Sequence, residues 1–276
     1  MEIIKIKYRS WFKGGVPKQI KLDIPGWAGN PNSHSNGSEP QPWHCPPFVE
    51  GSTYGIELCY PFDTECHVRN INGSIVFDGD FEEENKQCPD IKLPPFVAFA
   101  SGYFGMTSSL DIKVPEGYVL RTEPHPRFYT DCSGTVPCCL PGHIQTNWWP
   151  KIFFVVFKAP KVNQEIIFRK AEPYGQALVI PRKVSYDIEE MTHEEKVERT
   201  TLDNTLESNL NKVAKNQWKD NSGNKFSDKY KQLSTIVGKS GYDGMKNFLN
   251  DIQKKKKPTV LYKCKLKIKK KNKEKK

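Results

Sequence analysis

The chain has 276 residues, of which 37 % are hydrophobic and 12 % aromatic. That is enough apolar material to fill a core, and it excludes global disorder. The net charge of +10 belongs to one end: residues 254–276 hold 13 lysines and one acid, Glu274, leaving 29 basic against 31 acidic side chains in the remainder. A polyanion is therefore an expected partner of the tail alone, and the nearly neutral body carries no electrostatic hint of its ligand.

The longest apolar run covers residues 152–157, far short of the ~20 residues that a transmembrane helix needs, so no membrane span is predicted. The start, Met1-Glu2-Ile3-Ile4-Lys5, places charges where the apolar stretch of a signal peptide would lie. The expected location is cytoplasmic, and the 8 cysteines are read as reduced thiols rather than a disulfide framework.

Proline marks the main boundary. Of the 21 prolines, 20 lie between Pro17 and Pro181, and residues 182–257 have none. Because proline suits turns and strand edges but breaks helix interiors, the first part is expected to be strands and the next helices. Taken in order, residues 3–9, 19–24, 54–60, 74–78, 109–114, 118–121, 152–158, 165–169 and 176–180 carry the β-branched and aromatic enrichment of strands. Many short strands between Pro/Gly turns predict a mainly β fold, an antiparallel β-sandwich or cupin-like barrel followed by a small helical appendage. The run at 152–157 is expected to be a central strand buried on both faces. Residues 25–50, with Trp27 and Trp43, are too long for a passive connection and are expected to form an ordered excursion over one end of the sheet.

Thr192-His193-Glu194-Glu195 matches a capping box at the start of a helix. Leu202, Leu206, Leu210 and Val213 make one apolar stripe, Tyr230, Leu233 and Val237 before Gly238 a second, and Met245, Phe248, Leu249 and Ile252 a third. The expected organisation is a β-domain over 1–184, a helical appendage over 185–253 that packs on it, and a lysine-rich tail over 254–276. In the tail, Val260, Tyr262, Cys264, Leu266 and Ile268 alternate with Lys263, Lys265, Lys267 and Lys269. That period of two reads either as a Lys-guarded edge strand or as a basic strip meeting nucleic acid.

The segment from Glu123 to Cys132 is richest in reactive types. His125 and Asp131, joined by His44 or His143, are candidate nitrogen and oxygen ligands of a non-haem divalent metal, and the alternative for His125, set between two prolines, is a packed loop residue. Trp43, Glu57 and Arg127 are candidate ligand-binding residues beside them. Cys132, Cys138, Cys139 and His143 form a second cluster, whose spacing departs from that of zinc sites. The acidic stretch at 78–84 lacks the glycine and distant glutamate of a calcium loop and is expected to be a solvated turn. Trp148-Trp149 is expected at the core and rim, with base or sugar stacking as the alternative.

Two passages carry a resemblance. Pro42-Trp43-His44-Cys45-Pro46-Pro47-Phe48, continuing to Tyr60, and Glu165-Ile166-Ile167-Phe168-Arg169-Lys170-Ala171-Glu172-Pro173-Tyr174-Gly175, continuing to Arg182, resemble an uncharacterised domain family of bacteria and their phages, over residues 20–250. Separately, Pro115-Glu116-Gly117 is similar to the turns of cupin-like barrels, a resemblance that implies a metal-dependent oxygenase or isomerase. Two function classes follow as expectations: a small-molecule-binding or metal-dependent enzyme, and a non-catalytic, phage-encoded interaction module that contacts a protein or nucleic acid through its helices or tail.

Overall fold

The computed structural model describes residues 3–20, 46–89, 93–100, 102–128, 135–219, 223 and 225–254. The chain divides into two compact units, Met1–Asp187 and Ile188–Lys276. The fold is mainly β, with antiparallel sheets in the first unit and helices dominating the second.

In the first unit the described strands are β1 (Lys7–Ser10), β2 (Lys18–Gln19), β3 (Ile56–Cys59), β4 (Cys66–Ile71), β5 (Ser74–Asp78), β6 (Phe96–Ala100), β7 (Tyr103–Thr107), β8 (Leu110–Lys113), β9 (Tyr118–Pro124), β10 (Gly142–Ile144), β11 (Phe154–Lys158), β12 (Glu165–Phe168) and β13 (Pro173–Pro181). Two short helices, α1 (Pro46–Ser52) and α2 (Glu82–Gln87), lie between them. The largest sheet runs β10-β9-β13-β3-β2, and smaller ones run β11-β7-β6, β12-β4-β5 and β1-β8. The β4–β5 hairpin closes on Asn72-Gly73 with φ of 52° and 86°. That pair of left-handed residues makes the turn whose twist matches antiparallel strands.

One apolar core joins the sheets. Leu58 and Tyr60, Val68, Phe104 and Met106, Leu120, Phe157, Ile166 and Phe168 are all buried in it. Its centre is aromatic: Phe104 stacks on Phe157 at 5.3 Å between ring centroids and meets Phe168 edge-on at 6.1 Å. Phe77 stacks on Phe96 at 5.4 Å. Such pairs add ~0.5–1.5 kcal/mol each beyond the area they bury.

Two sequence expectations need correction. β11 is not buried on both faces, because Val155 and Phe157 point into the core while Phe154 and Val156 are half-buried. Its outer face is covered only by side chains such as Phe99, which meets Phe154 edge-on at 5.7 Å and is itself half exposed. The acidic stretch at 78–84 is not simply a solvated turn, since Glu84 is buried within α2 and accepts the Thr64 N–H at 2.8 Å. Carboxylates in a first helical turn are favoured by the helix dipole, which suits Glu82 and Glu83 there.

The second unit has α3 (His193–Ser208), α4 (Leu210–Val213), the hairpin β14 (Gln217–Lys219) and β15 (Lys225–Ser227), and α5 (Lys229–Lys254). The capping box at Thr192 forms as expected: Glu195 N–H donates to the Thr192 hydroxyl and Thr192 N–H to the Glu195 carboxylate at 2.8 Å. The three stripes meet one another, with Val213, Met245, Leu249 and Ile252 buried and Leu202, Leu206, Leu233 and Phe248 packed around them. The helical path of α5 breaks at Gly241, where φ is 70°, three residues after the Gly238 at which an end was expected.

Phe104→Ala removes a fully buried ring from the middle of the aromatic core. It is expected to lower unfolding free energy by about 3–5 kcal/mol in urea titration with the denaturant dependence unchanged.

Candidate functional site

β13 pairs with β3 on one side and β9 on the other, and this register assembles a polar row across the sheet. Gln176 stands directly opposite Glu57 on one side and Glu123 on the other, so all three side chains share a face. Lys18 of β2 extends the row beyond Glu57. Ala177, next along β13, points to the opposite face and into the core. Just past the end of β9, His125 is 2 % exposed and its Nε2 lies 3.6 Å from Glu57 Oε2. That distance is too long for a direct hydrogen bond. His125 Nδ1 accepts the Arg127 N–H at 3.1 Å, so the neutral ring carries its proton on Nε2, facing Glu57.

Glu57 also receives the Cys59 S–H, Sγ to Oε1 3.2 Å. Burial pushes the Glu57 carboxyl up, but the proximity of His125, the thiol and Lys18 outweighs it, and the group stays below its ordinary value. Cys59 moves the other way: burial, then its bond to Glu57, lifts it to about 12. Burial also lifts Cys139 to about 12. Both are thiols at neutral pH and neither is an activated nucleophile.

Beside this cluster lies a cavity of about 380 Å³. Its apolar wall includes Tyr60, Phe128, Val136, Pro137, Ile167, Phe168 and Tyr174, and its charged groups are Arg127, Glu165, Arg169 and Glu172. Tyr174 sits at the register shift of β13, between Pro173 and Gly175. A bulge of this kind re-aims a side chain. The Tyr174 hydroxyl is buried with no hydrogen-bond partner among the described residues, and burial holds its pKa well above the ordinary phenol value, so it is a neutral donor and acceptor. Just before it, Ala171 has φ of 60°, a left-handed conformation costly for any residue with a Cβ. Two backbone bonds hold that turn to β3: Ala171 N–H to Tyr60 O at 3.0 Å, and Tyr60 N–H to Glu172 O at 2.8 Å.

Outside one wall of the cavity is a network of charges. His67 is placed between two carboxylates, Nε2 to Glu65 Oε1 at 2.8 Å and Nδ1 to Glu165 Oε2 at 3.2 Å. Glu165 also accepts Arg69 Nε at 3.0 Å, and Arg169 Nε lies 2.8 Å from Glu65. With a carboxylate at each ring nitrogen, the imidazolium is favoured: the Glu165 bond first, opposed by slight burial and aided by Glu65, raises its pKa above 6.5.

Of the residues singled out in the sequence, Glu57, His125 and Arg127 come together. His143 is exposed on β10 opposite Arg121, four residues back along β9, roughly 13 Å of extended chain from His125. Trp43, His44, Asp131, Cys132 and the tail with Lys263, Lys265, Lys267 and Lys269 lie outside the described residues, as does most of the 25–50 excursion. Among the described residues no group of three or more His, Cys, Asp or Glu side chains is arranged to hold a metal ion. None of the described helices is long and apolar enough to cross a membrane. Trp148 and Trp149, expected at the core and rim, are 60 % and 43 % exposed and touch each other edge-on at 5.7 Å. Sequence reading passed over Tyr174, Arg169 and Glu172 as site residues. The available signal was Pro173 and Gly175 bracketing a tyrosine within a strand, the composition of a bulge.

No family model and no curated protein matches the sequence. Among solved structures, the chain is similar to a mutant dUTPase of Staphylococcus bacteriophage 80alpha with dUpNHpp, at 9 % identity and a TM-score of 0.35, over 69 % of this chain and 93 % of that one.

The His67 network gives a pH dependence of definite sign. A histidine whose folded pKa lies above 6.5 contributes stability that is fully present below that value and is lost as pH rises through the folded value. Comparing wild type with His67→Gln by chemical denaturation between about pH 5.5 and pH 9, the stability advantage of wild type is expected to be of order 1 kcal/mol or less at the acid end and to vanish at the alkaline end. An advantage that grows with pH is the contrary result.

Proposed function

We propose that the β unit is a small-molecule-binding domain whose ligand occupies the cavity beside Arg127. The observation that carries this reading is the cavity of about 380 Å³ itself, into whose lining Arg127 brings a guanidinium that no carboxylate among the described residues meets at hydrogen-bond distance. The volume falls within the ~300–1,000 Å³ of ligand sites, and the lining sets apolar side chains beside four charged ones, Arg127, Glu165, Arg169 and Glu172. The bulge at Tyr174 and the left-handed Ala171 add support, because departures of this kind concentrate at ligand sites. The proposal concerns binding. A metal-dependent version of it draws on His44 and Asp131, beyond the described residues.

Val136 lines the cavity from outside the strands, so Val136→Trp fills the space with little demand on the sheets. Saturation-transfer NMR with phenol, benzoate, benzamide and benzylamine is expected to show contact for at least one of them with wild type. In Val136→Trp, with thermal unfolding still cooperative, that signal is expected to fall at least fivefold. Contact with none of the four, or equal signals from both proteins, overturns the proposal.

A further inference from the structure

We infer that the cavity takes a small apolar monoanion, whose carboxylate is held by Arg127 in place of Glu172. This rests on the binding reading above and adds the chemical class of the ligand. The charges in the lining are not equivalent. Arg169 is committed to Glu65 at 2.8 Å, and Glu165 to Arg69 at 3.0 Å and His67 at 3.2 Å. Each of these is a full ion pair at hydrogen-bond distance.

Arg127 is different. Among the described residues its nearest carboxylate is Glu172, with Nη2 3.9 Å from Oε2, beyond the reach of a hydrogen bond. A guanidinium has five N–H donors in a planar fork that matches a carboxylate in two bonds at once. The Arg127 main chain is held by its N–H bond to the buried His125, and the guanidinium carbon lies 5.2 Å above the Phe128 ring. Arg127 is a cation in the lining with its strongest interaction unmade.

The charge balance selects a monoanion. With Glu172 turned away, one negative charge on the ligand neutralises Arg127. A phosphate dianion would bring a second charge toward Glu165 and Glu172, and among the described lining residues the other cation, Arg169, is already paired with Glu65. The rest of the lining selects an apolar body, since Phe168, Pro137 and Val136 offer packing surface. Glu172 then acts as a built-in competitor, loosely occupying Arg127 until a better-fitting carboxylate displaces it.

The test compares naphthoate with its neutral isostere naphthamide, and with phenyl phosphate, by isothermal titration calorimetry on wild type, Arg127→Gln, Glu172→Gln and Val136→Trp. Naphthoate is expected to bind wild type about tenfold or more tightly than naphthamide, as one added charge-assisted pair requires, and more tightly than phenyl phosphate. In Arg127→Gln the acid-to-amide ratio is expected to fall to about one. In Glu172→Gln naphthoate is expected to bind severalfold more tightly with naphthamide unchanged, a gain that loss of folding cannot produce. Equal binding of acid and amide to wild type, a preference that survives Arg127→Gln, or tighter binding of phenyl phosphate overturns the inference. In those cases loss of both naphthyl compounds in Val136→Trp leaves the cavity reading intact. Undiminished binding to Val136→Trp, or no binding of either compound to wild type, overturns both.

Discussion

The structure depends on how β13 is held between β3 and β9. A strand paired on both sides has its register fixed twice, and a slip of one residue would exchange its two faces. In the observed register Ala177 enters the core and Gln176 takes its place between Glu57 and Glu123. The bulge between Pro173 and Gly175 lets one strand satisfy both a regular pairing with β9 and the cavity wall, because the extra residue, Tyr174, is freed from the ladder on the β3 side. Polar row, buried His125 and cavity are thus consequences of one pairing pattern.

Around the cavity, electrostatics is organised by pairing rather than by net sign. Arg69, His67 and Arg169 are each matched to Glu165 or Glu65, so this network contributes little field beyond its own contacts and little stability per pair where it is exposed. Against that neutralised background a single loosely paired guanidinium stands out. The same logic separates the two buried clusters. Glu57 has a thiol donor and a nearby imidazole and is held ionised in a confined place, whereas Tyr174 is kept neutral by burial first and by the neighbouring Cys139 and Cys59 after it.

Much of the fold was legible from local pattern. The segment 74–78 coincides with β5, the capping box at Thr192 forms, and the break in proline content lies close to the division at Asp187. What escaped notice depended on distant partners. β4 reads Cys-His-Val-Arg-Asn-Ile, poor in strand formers on one face, because His67 and Arg69 serve the charged network contributed by Glu65 and Glu165. β7 contains Gly105, which argues against a strand locally. A Cβ there would lie 2.2 Å from the Phe99 ring, so the glycine is explained by a side chain on the neighbouring strand. β11 looked doubly buried because phenylalanine counts as apolar wherever it points, and only the position of Phe99 reveals that Phe154 has a thin cover. The site was half legible for the same reason. Glu57, His125 and Arg127 could be picked out by type, but nothing local joins β3 to the end of β9, and Tyr174 becomes visible only once the bulge is recognised.

The distribution of unmet hydrogen-bonding groups supports the view that stability has been traded at this junction rather than lost at random. Tyr174, Gln176 and His125 supply three of the nine buried side-chain atoms without partners among the described residues, and all three residues sit on β13 or at the end of the β9 strand it pairs with. Ala171, in its left-handed conformation, immediately precedes Glu172, the one carboxylate among the described residues that approaches Arg127. The loose Arg127–Glu172 contact lies in the cavity lining, next in sequence to the strained Ala171, and marks where the proposed exchange would begin.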